Sequence, residues 1–305
     1  MSVNTSPISE SELQLLQALV YREFGMHFDE RRMHILEDRV QKRLRECQID
    51  TAYNYYQFVI SEDGKGELSE LVQLLTVHET SFFRNRPQLD FFQREILDQV
   101  LLRKRELQDF TLRIWSAGCS TGQEPYTLAM LVCDALNYFN MRYPVAGAPQ
   151  PEPGTAKPLI PAPWRLEIIA SDVSYTALRV GQQGSYSHAQ MEPVDYCYRL
   201  RFFDRLGDSY VAKPVVKQFI HFDFHNLKAE FLPLGNDVIF CRNVMIYFDE
   251  AEQRRLVDKL HKCLRPSGYL FVGHAESLLG LTPKFRLLHS DNSTAYQRVD
   301  EEEQP

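Results

Sequence analysis

Residues 111–126 constrain the fold more than any other part of the sequence. They read TLRIWSAGCSTGQEPY, a short β-rich run followed by Gly118, by Gly122 four residues later, and by Glu124 at the start of an apolar helical segment. A strand, a glycine-containing loop and a helix start bring backbone close to a nucleotide-like ligand at the carboxyl end of a parallel strand. Glycine suits both positions because a Cβ would block the close approach or the tight turn.

The spacing and the nearby acid indicate which kind of ligand this loop would hold. The G-x-x-x-G spacing differs from the G-x-G-x-x-G of dinucleotide folds, which disfavours an NAD-dependent dehydrogenase. Glu124 favours a ligand with a cationic or hydroxyl-rich part, and S-adenosylmethionine fits because it has an amino group, a ribose and a sulfonium but no phosphate. Asp172 ends the next predicted strand, where an acid can accept hydrogen bonds from both ribose hydroxyls.

The composition is that of an ordinary soluble globular protein, with 44% hydrophobic and 25% charged residues. The formal net charge of −7 argues against bulk binding of nucleic acid. No apolar run approaches the roughly 20 residues that span a bilayer, and residues 1–10 carry no apolar signal region. We therefore expect a cytoplasmic protein without membrane insertion.

The cysteines and histidines show no metal-binding or disulfide pattern. No C-x-x-C occurs, so neither a disulfide framework nor a structural zinc site is expected. Cys119 lies in the glycine loop, but no histidine accompanies it locally, which disfavours a nucleophilic role. His221 and His225 lie on a strand-like segment, and we expect no metal there.

The first quarter of the chain shows helical patterns over residues 9–75. Ser9 or Ser11 is placed to cap the first helix, and further helices are predicted over 30–46 and 67–77, with a turn at 63–64. On the second of these helices Arg32, Arg39 and Arg43 share one arc beside the apolar face. This basic stripe is either a solvated flank or a docking surface for an acidic partner helix. Residues 76–85 are predicted to line an inter-domain cleft, and a helix over 88–103 follows.

Strand-like and helical runs alternate through the rest of the chain, which predicts a mostly parallel sheet with helices on both faces. Strands are predicted over 111–117, 166–172, 219–224, 237–243 and 269–273, and helices over 123–139, 174–180 and 250–264, with a turn at 266–268. Residues 285–289 and 294–299 form a predicted terminal antiparallel hairpin. The proline-rich stretch 143–164 is predicted to be a surface loop or disordered insertion, away from the ligand end of the sheet.

With these residues in view, the chain resembles the bacterial chemotaxis receptor methyltransferases, the CheR family, from about residue 12 to residue 299. The motifs that carry the resemblance are ETSFFR (79–84), SAGCSTGQEPY (116–126), ASD (170–172), HNL (225–227), CRNVMIYF (241–248) and GHAES (273–277). The resemblance implies a class I S-adenosylmethionine-dependent fold, with an all-helical domain over 1–86 for substrate docking and a methyltransferase domain over 87–305. It also implies a small inserted antiparallel β-subdomain near 199–220.

The resemblance further implies the site residues. Arg84 and Tyr247 would face the methyl group and the incoming substrate glutamate. The S-adenosylmethionine contacts would be Thr80, Arg84, Gly118, Glu124, Asp172, Asn226, Leu227, Asn243 and Val244. His78 stands where the family usually has asparagine; it can also donate and accept hydrogen bonds, and we expect it to be neutral if it contributes.

As the resemblance implies, the reaction would be methylation of glutamates on chemoreceptor cytoplasmic helices, giving S-adenosylhomocysteine as product. The protein would be a cytoplasmic monomer recruited to membrane receptor arrays, where Arg32, Arg39 and Arg43 would dock acidic helices. The single glycine in residues 205–210 favours an enzyme that needs no receptor tether. Two alternatives remain: a methyltransferase for another protein carboxylate, and a regulatory module that binds the nucleoside without turnover.

Overall fold

The computed structural model describes residues 6–64, 66–76, 79–149, 158–290 and 293–299. Four helices form the first part of the chain: α1 (Glu10–Phe24), α2 (Met33–Cys47), α3 (Ala52–Ile60) and α4 (Glu67–Leu75). Ser9 caps α1 with a reciprocal pair of hydrogen bonds to Glu12. Leu16, Val20, Leu36 and Val40 are among the buried residues of a core that these helices share.

The helix predicted over 88–103 is divided in the structure. It comprises α5 (Arg86–Phe91), one wide π turn (Phe92–Ile96) and α6 (Leu97–Glu106). Pro87 occupies the first turn of α5, where its missing N–H costs no hydrogen bond. Phe92 is fully buried and packs edge-on against Phe240 and Phe271 from the sheet.

Strands and helices then alternate as predicted. The elements are β1 (Thr111–Ala117), α7 (Gln123–Arg142), β2 (Arg165–Asp172), α8 (Tyr175–Gln183), β3 (Ser185–Ser187), α9 (His188–Met191), α10 (Tyr196–Phe202), β4 (Phe203–Leu206), β5 (Ser209–Ala212), α11 (Pro214–Lys217), β6 (Ile220–Phe224), β7 (Asn236–Cys241), α12 (Glu250–Cys263), β8 (Leu264–Val272), β9 (Phe285–Ser290) and β10 (Ser293–Arg298).

Within the described residues, seven strands form one sheet in the order β6-β2-β1-β7-β8-β10-β9. The first five of these pair in parallel, whereas β10 is antiparallel to both β8 and β9. The prediction of a mostly parallel sheet with an antiparallel terminal hairpin is confirmed. Because β1 has β2 on one side and β7 on the other, the chain changes direction across the sheet at β1. Open α/β sheets bind ligands at such a switch point.

The small antiparallel sheet has the order β3-β5-β4. It begins at Ser185, upstream of the predicted stretch 199–220, because the three-residue strand β3 pairs with β5 over Ser185–Ser187. So short a strand has too few residues to show an alternating pattern.

Two further differences from the sequence expectations concern local geometry. The turn predicted at 266–268 is found as a bulge inside β8 and not as a break before that strand: the register with β7 passes from the pair Asn236 and Leu264 to the pair Val238 and Tyr269, and Ser267 has a left-handed backbone. In the proline-rich stretch, residues 150–157 lie outside the described part, and the flanking residues form no helix or strand. Trp164 from this stretch is buried against Phe110 and Phe139.

The helical part is attached directly to the sheet-bearing part. Met26 forms an isolated β-bridge with Phe248, and the N–H of His27 donates to the carbonyl of Tyr247 at 2.8 Å. The Tyr21 hydroxyl donates to Asp249 at 2.9 Å. In the described part of the chain, no helix has the length and apolar character needed to cross a membrane.

Candidate functional site

A cleft of about 1050 Å³, counting the open solvent at its mouth, lies at the carboxyl ends of β1, β2, β6 and β7. Every strand end contributes residues to its wall: Gly118–Ser120 follow β1, Asp172 ends β2, Asn226 and Leu227 follow β6, and Asn243 and Val244 follow β7. The helical part closes one side with Phe24, Met26 and Val72, which the sequence reasoning did not identify, and with Thr76, the first residue of the predicted cleft segment 76–85.

The glycine loop after β1 has the close approach that the sequence predicted. Gly118 has a left-handed backbone with φ +81°, and a Cβ there would lie 2.4 Å from Cγ2 of Val244. The N–H groups of Gly118 and Cys119 both donate to the carbonyl of Ser171, at 2.8 and 2.9 Å. Glycine therefore lets the loop fold against β2 while Val244 packs onto it.

Asp172 ties two loops together at the edge of the cleft. Its Oδ2 accepts from the N–H of Ser120 at 2.8 Å, and its Oδ1 accepts from the N–H of Ser174 at 3.0 Å. A carboxylate has about four acceptor positions, so this buried side chain can still accept hydrogen bonds from ligand hydroxyls.

Glu124 belongs to a hydrogen-bonded chain that reaches Arg84. Its Oε1 accepts from the Ser116 hydroxyl at 2.7 Å, and its Oε2 accepts from Nη1 of Arg242 at 3.2 Å. Nη2 of Arg242 donates in turn to the carbonyl of Arg84 at 2.7 Å. Arg242 was not among the predicted site residues, although its place directly after β7 was a usable signal.

Arg84 and Tyr247 approach the cleft from different parts of the chain. Nη1 of Arg84 donates to the carbonyl of Glu79 at 2.7 Å, which is the one hydrogen bond of the guanidinium within the described residues. Tyr247 lies in a 3₁₀ turn (Met245–Tyr247), is buried, and packs into the core of the helical part. Both side chains line the cleft, as does Thr80, whereas the prediction for His78 falls outside the described residues.

Asn226 joins the helical part to the loop after β6. Its amide donates to the carbonyl of Glu23 at 2.8 Å, and its Oδ1 accepts from the N–H of Lys228 at 2.9 Å. Leu227 beside it is buried and presents an apolar wall. The described residues that were predicted to contact the nucleoside thus lie around one cleft.

The predicted basic stripe on α2 has to be revised. Arg43 forms a bidentate ion pair with Glu67 of α4, with N–O distances of 2.7 and 2.6 Å, and its side chain is only 14% exposed. Its charge is therefore used in joining α2 to α4. Arg39 is exposed and donates to the carbonyl of Leu74, and Arg32 donates to the carbonyl of Ile246 beside Tyr247.

Cys119 is not arranged as a nucleophile. Burial raises the pKa of its thiol well above the usual value, and the negative charges of Asp172 and Glu124 raise it further. The thiolate, which is the reactive form, is therefore disfavoured. Cys119 acts as a small apolar residue behind the glycine loop.

The side chains that line the cleft fit S-adenosylmethionine. Asp172 can accept from a ribose diol, Glu124 provides negative charge for a cationic group, and Val173, Leu227 and Val244 offer apolar surface. A seven-stranded sheet of this order, with an acid at the end of the second strand beside the cleft, is the fold of a class I S-adenosylmethionine-dependent methyltransferase.

Comparison with known families gives the narrower assignment. Residues 11–76 match the CheR methyltransferase all-alpha domain, and residues 78–148 and 159–294 match the CheR methyltransferase SAM binding domain. The chain therefore belongs to the CheR methyltransferase family, and its methyl donor is S-adenosylmethionine.

Similar curated proteins cover almost the whole chain. Chemotaxis protein methyltransferase 2 of Pseudomonas aeruginosa is 31% identical over 296 residues, which are 94% of this chain and 93% of the relative. The chemotaxis protein methyltransferase of Borreliella burgdorferi is 29% identical over 276 residues, or 90% of each chain. That of Escherichia coli is 28% identical over 286 residues, covering 92% of this chain and 89% of the relative.

Proposed function

We propose that this chain transfers the methyl group of S-adenosylmethionine to glutamate side chains on chemoreceptor cytoplasmic helices, as part of sensory adaptation in chemotaxis. The observation that carries the proposal is the cleft itself, where Arg84 and Tyr247 lie beside the acid-lined walls formed by Glu124 and Asp172. The names of the similar proteins support chemotaxis as the setting.

When bound, S-adenosylmethionine supplies a methyl carbon that a carboxylate oxygen can attack, so that a methyl ester forms and the sulfonium leaves as a thioether. A glutamate with a pKa of about 4.3 is already ionised at neutral pH. The protein therefore needs no general base, and its residues have to orient the acceptor and exclude water. Holding two reactants in line can lower a barrier by up to about 7–11 kcal/mol.

Arg84 is the residue that we assign to the acceptor carboxylate. Its Nη1 donates to the carbonyl of Glu79, and its own carbonyl accepts from Arg242. The backbone of Arg84 and one end of its guanidinium are therefore held in place. Charge-assisted hydrogen bonds from the remaining donors would bind one carboxylate oxygen and leave the other free to attack. Tyr247 would close the opposite side of the same space.

The helical part would dock the receptor helix. Arg32 and Arg39 keep their positive charge without an ion pair among the described residues, and the contact of Arg32 with the carbonyl of Ile246 places it near Tyr247. Such charges mainly raise the rate of encounter with a glutamate-rich helix. In this assignment residues 1–86 present the substrate, residues 87–305 carry out the transfer, and the protein is recruited to receptor arrays by this docking alone.

The test is incubation with methyl-labelled S-adenosylmethionine and receptor cytoplasmic fragments, scored for label on glutamate that mild base releases. The Arg84→Ala variant should lose about 100-fold in turnover, the usual cost of a lost transition-state donor, and much less in affinity for S-adenosylhomocysteine. The Asp172→Asn variant should instead lose affinity for the nucleoside. The matched control is Arg94→Ala, an exposed arginine outside the cleft.

Two results would contradict the proposal. Label that resists mild base would indicate N-methylation, because carboxyl methyl esters hydrolyse. Tight binding of S-adenosylhomocysteine with no transfer to any receptor fragment would instead favour the regulatory module without turnover.

A further inference from the structure

The carboxylate of Glu276 organises the backbone beyond the ends of two central strands. Its Oε2 accepts from the N–H of Asn243 at 2.8 Å and from the N–H of Gly273 at 2.6 Å, and its Oε1 accepts from the N–H of Ile246 at 3.2 Å. Asn243 follows β7 and Gly273 follows β8, so one side chain continues the connection between these strands after their ladder ends at Cys241 and Val272.

The segment 242–248 depends on this support because it has little regular structure of its own. Asn243 has a left-handed backbone with φ +60°, and the 3₁₀ turn at Met245–Tyr247 is the one helical element of the segment. Glu276 accepts hydrogen bonds from two N–H groups of the segment. The side-chain amide of Gln253 donates to two of the segment's carbonyls, those of Met245 and Phe248, at 3.0 and 3.1 Å. The segment is thus fixed by hydrogen bonds from two sides.

Gly273 has a specific reason to be glycine in this arrangement. A Cβ at this position would lie 2.7 Å from Oε2 of Glu276 and 2.9 Å from the backbone nitrogen of Asn243. Any side chain would therefore push the carboxylate away from the N–H groups it accepts. The motif GHAES, which the sequence analysis singled out without a role for its acid, supplies both the glycine and the carboxylate.

We propose that Glu276 is a positioning residue for the methyl transfer. It does not line the cleft, but it sets the backbone that presents Asn243 and Val244 to the nucleoside and Tyr247 to the acceptor. The part that concerns Tyr247 rests on the proposed function, and the part that concerns the nucleoside does not. An ionised carboxylate suits the task because it offers only acceptors to its three N–H donors, whereas a neutral amide would direct N–H groups at some of them.

The test compares Glu276→Gln and Glu276→Ala with the wild type by calorimetric titration of S-adenosylhomocysteine. We expect the glutamine variant to bind about tenfold more weakly, because one charge-assisted hydrogen bond contributes roughly this much. The alanine variant should be weaker still, since the amide oxygen of glutamine can keep one of the contacts. The matched control is Glu250→Gln, an exposed acid at the start of α12 that pairs with Arg254 and should bind normally.

A second readout separates positioning from general stability. In methylation assays the glutamine variant should lower kcat while the KM for the receptor fragment stays unchanged, because the helical docking face is intact. Affinity for S-adenosylhomocysteine within twofold of the wild type in both variants would overturn the proposal. So would loss of native circular dichroism in the glutamine variant, because Glu276 would then support the whole fold instead of one segment. The titration needs no protein substrate, so its result stands even if receptor methylation is not observed.

Discussion

Replacing Arg43 by methionine tests whether this arginine joins two helices or docks a substrate. The change keeps an unbranched apolar stem and removes the two hydrogen bonds, of 2.7 and 2.6 Å, that the guanidinium donates to Glu67, together with its ion pair to the exposed Glu46. The side chain of Glu67 is 9% exposed, and in the variant its carboxylate would still accept the hydrogen bond from the Tyr55 hydroxyl, at 2.7 Å. A buried negative charge would lose its counter-ion.

The expected loss in the free energy of unfolding follows from the burial of the Arg43–Glu67 pair. Breaking a fully buried ion pair costs about 3–5 kcal/mol, and this pair keeps some solvent contact and the Tyr55 hydroxyl, so we expect about 3 kcal/mol. The entropy of unfolding, about 2.1 cal/mol/K per residue over 305 residues, amounts to about 0.6 kcal/mol per kelvin. The melting temperature should therefore fall by about 5 °C.

The pH dependence of this cost has a definite sign. Burial alone would raise the pKa of the Glu67 carboxyl, but the hydrogen bonds from Arg43 and Tyr55 outweigh it and hold the pKa below its usual value. A lowered folded-state pKa stabilises the protein above the unfolded-state pKa of about 4.3, and this contribution disappears as the pH falls through the folded-state value. The stability difference between wild type and variant should therefore shrink on acidification.

The assay is urea unfolding at a series of pH values, together with methylation kinetics well below the melting temperature. Arg39→Met, an exposed position on the same helix, is the control and should change stability by no more than about 0.5 kcal/mol. Our reasoning fails if Arg43→Met is as stable as the wild type, or if it raises the KM for the receptor fragment without lowering the melting temperature.

Two other predictions concern docking and the glycine loop. The charge reversals Arg32→Glu and Arg39→Glu together should raise the KM for a receptor fragment several-fold at low salt and leave nucleoside affinity unchanged. Arg45→Glu, on the opposite side of α2, is the control. Equal receptor kinetics in the wild type, the double variant and the control would remove the docking role. Gly118→Ala should weaken binding of S-adenosylhomocysteine by at least tenfold, because its Cβ would lie 2.4 Å from Cγ2 of Val244. Adding Val244→Ala removes that methyl group and should restore part of the affinity in calorimetry; no loss in the single variant would show that the loop can adapt.

The strands of the large sheet could be predicted well, because each strand has a recognisable pattern in its own local sequence. Residues 238–241 are apolar, and every residue of β7 is buried, as expected of a central parallel strand. The π turn at Phe92–Ile96 left no local signal, because its buried residues keep a nearly helical spacing. The predicted turn at 266–268 coincides with the bulge in β8, but its place inside a paired strand could not be predicted, since that depends on how β7 pairs with β8.

Some residues of the candidate site could likewise be predicted from the local sequence, and others could not. Asp172 ends β2 and Glu124 lies in the first turn of α7 after β1, so their position at the cleft could be predicted from the order of elements. The partner of Arg43 could not be predicted, because Glu67 lies 24 residues away on another helix and only the packing of α2 on α4 brings them together. The cleft residues from the helical part, Phe24 and Met26 among them, were missed for the same reason: their apolar side chains read as ordinary core.

The β-bridge between Met26 and Phe248 has a practical consequence for anyone who wishes to trim this enzyme. A fragment that starts after α4 would keep every strand of the large sheet. It would lack one side of the cleft and the residues Met26 and His27, which bond to the backbone of Tyr247 and Phe248. The sheet-bearing part therefore has an incomplete cleft by itself, because the helices at the amino end form part of the cleft wall just as the glycine loop does.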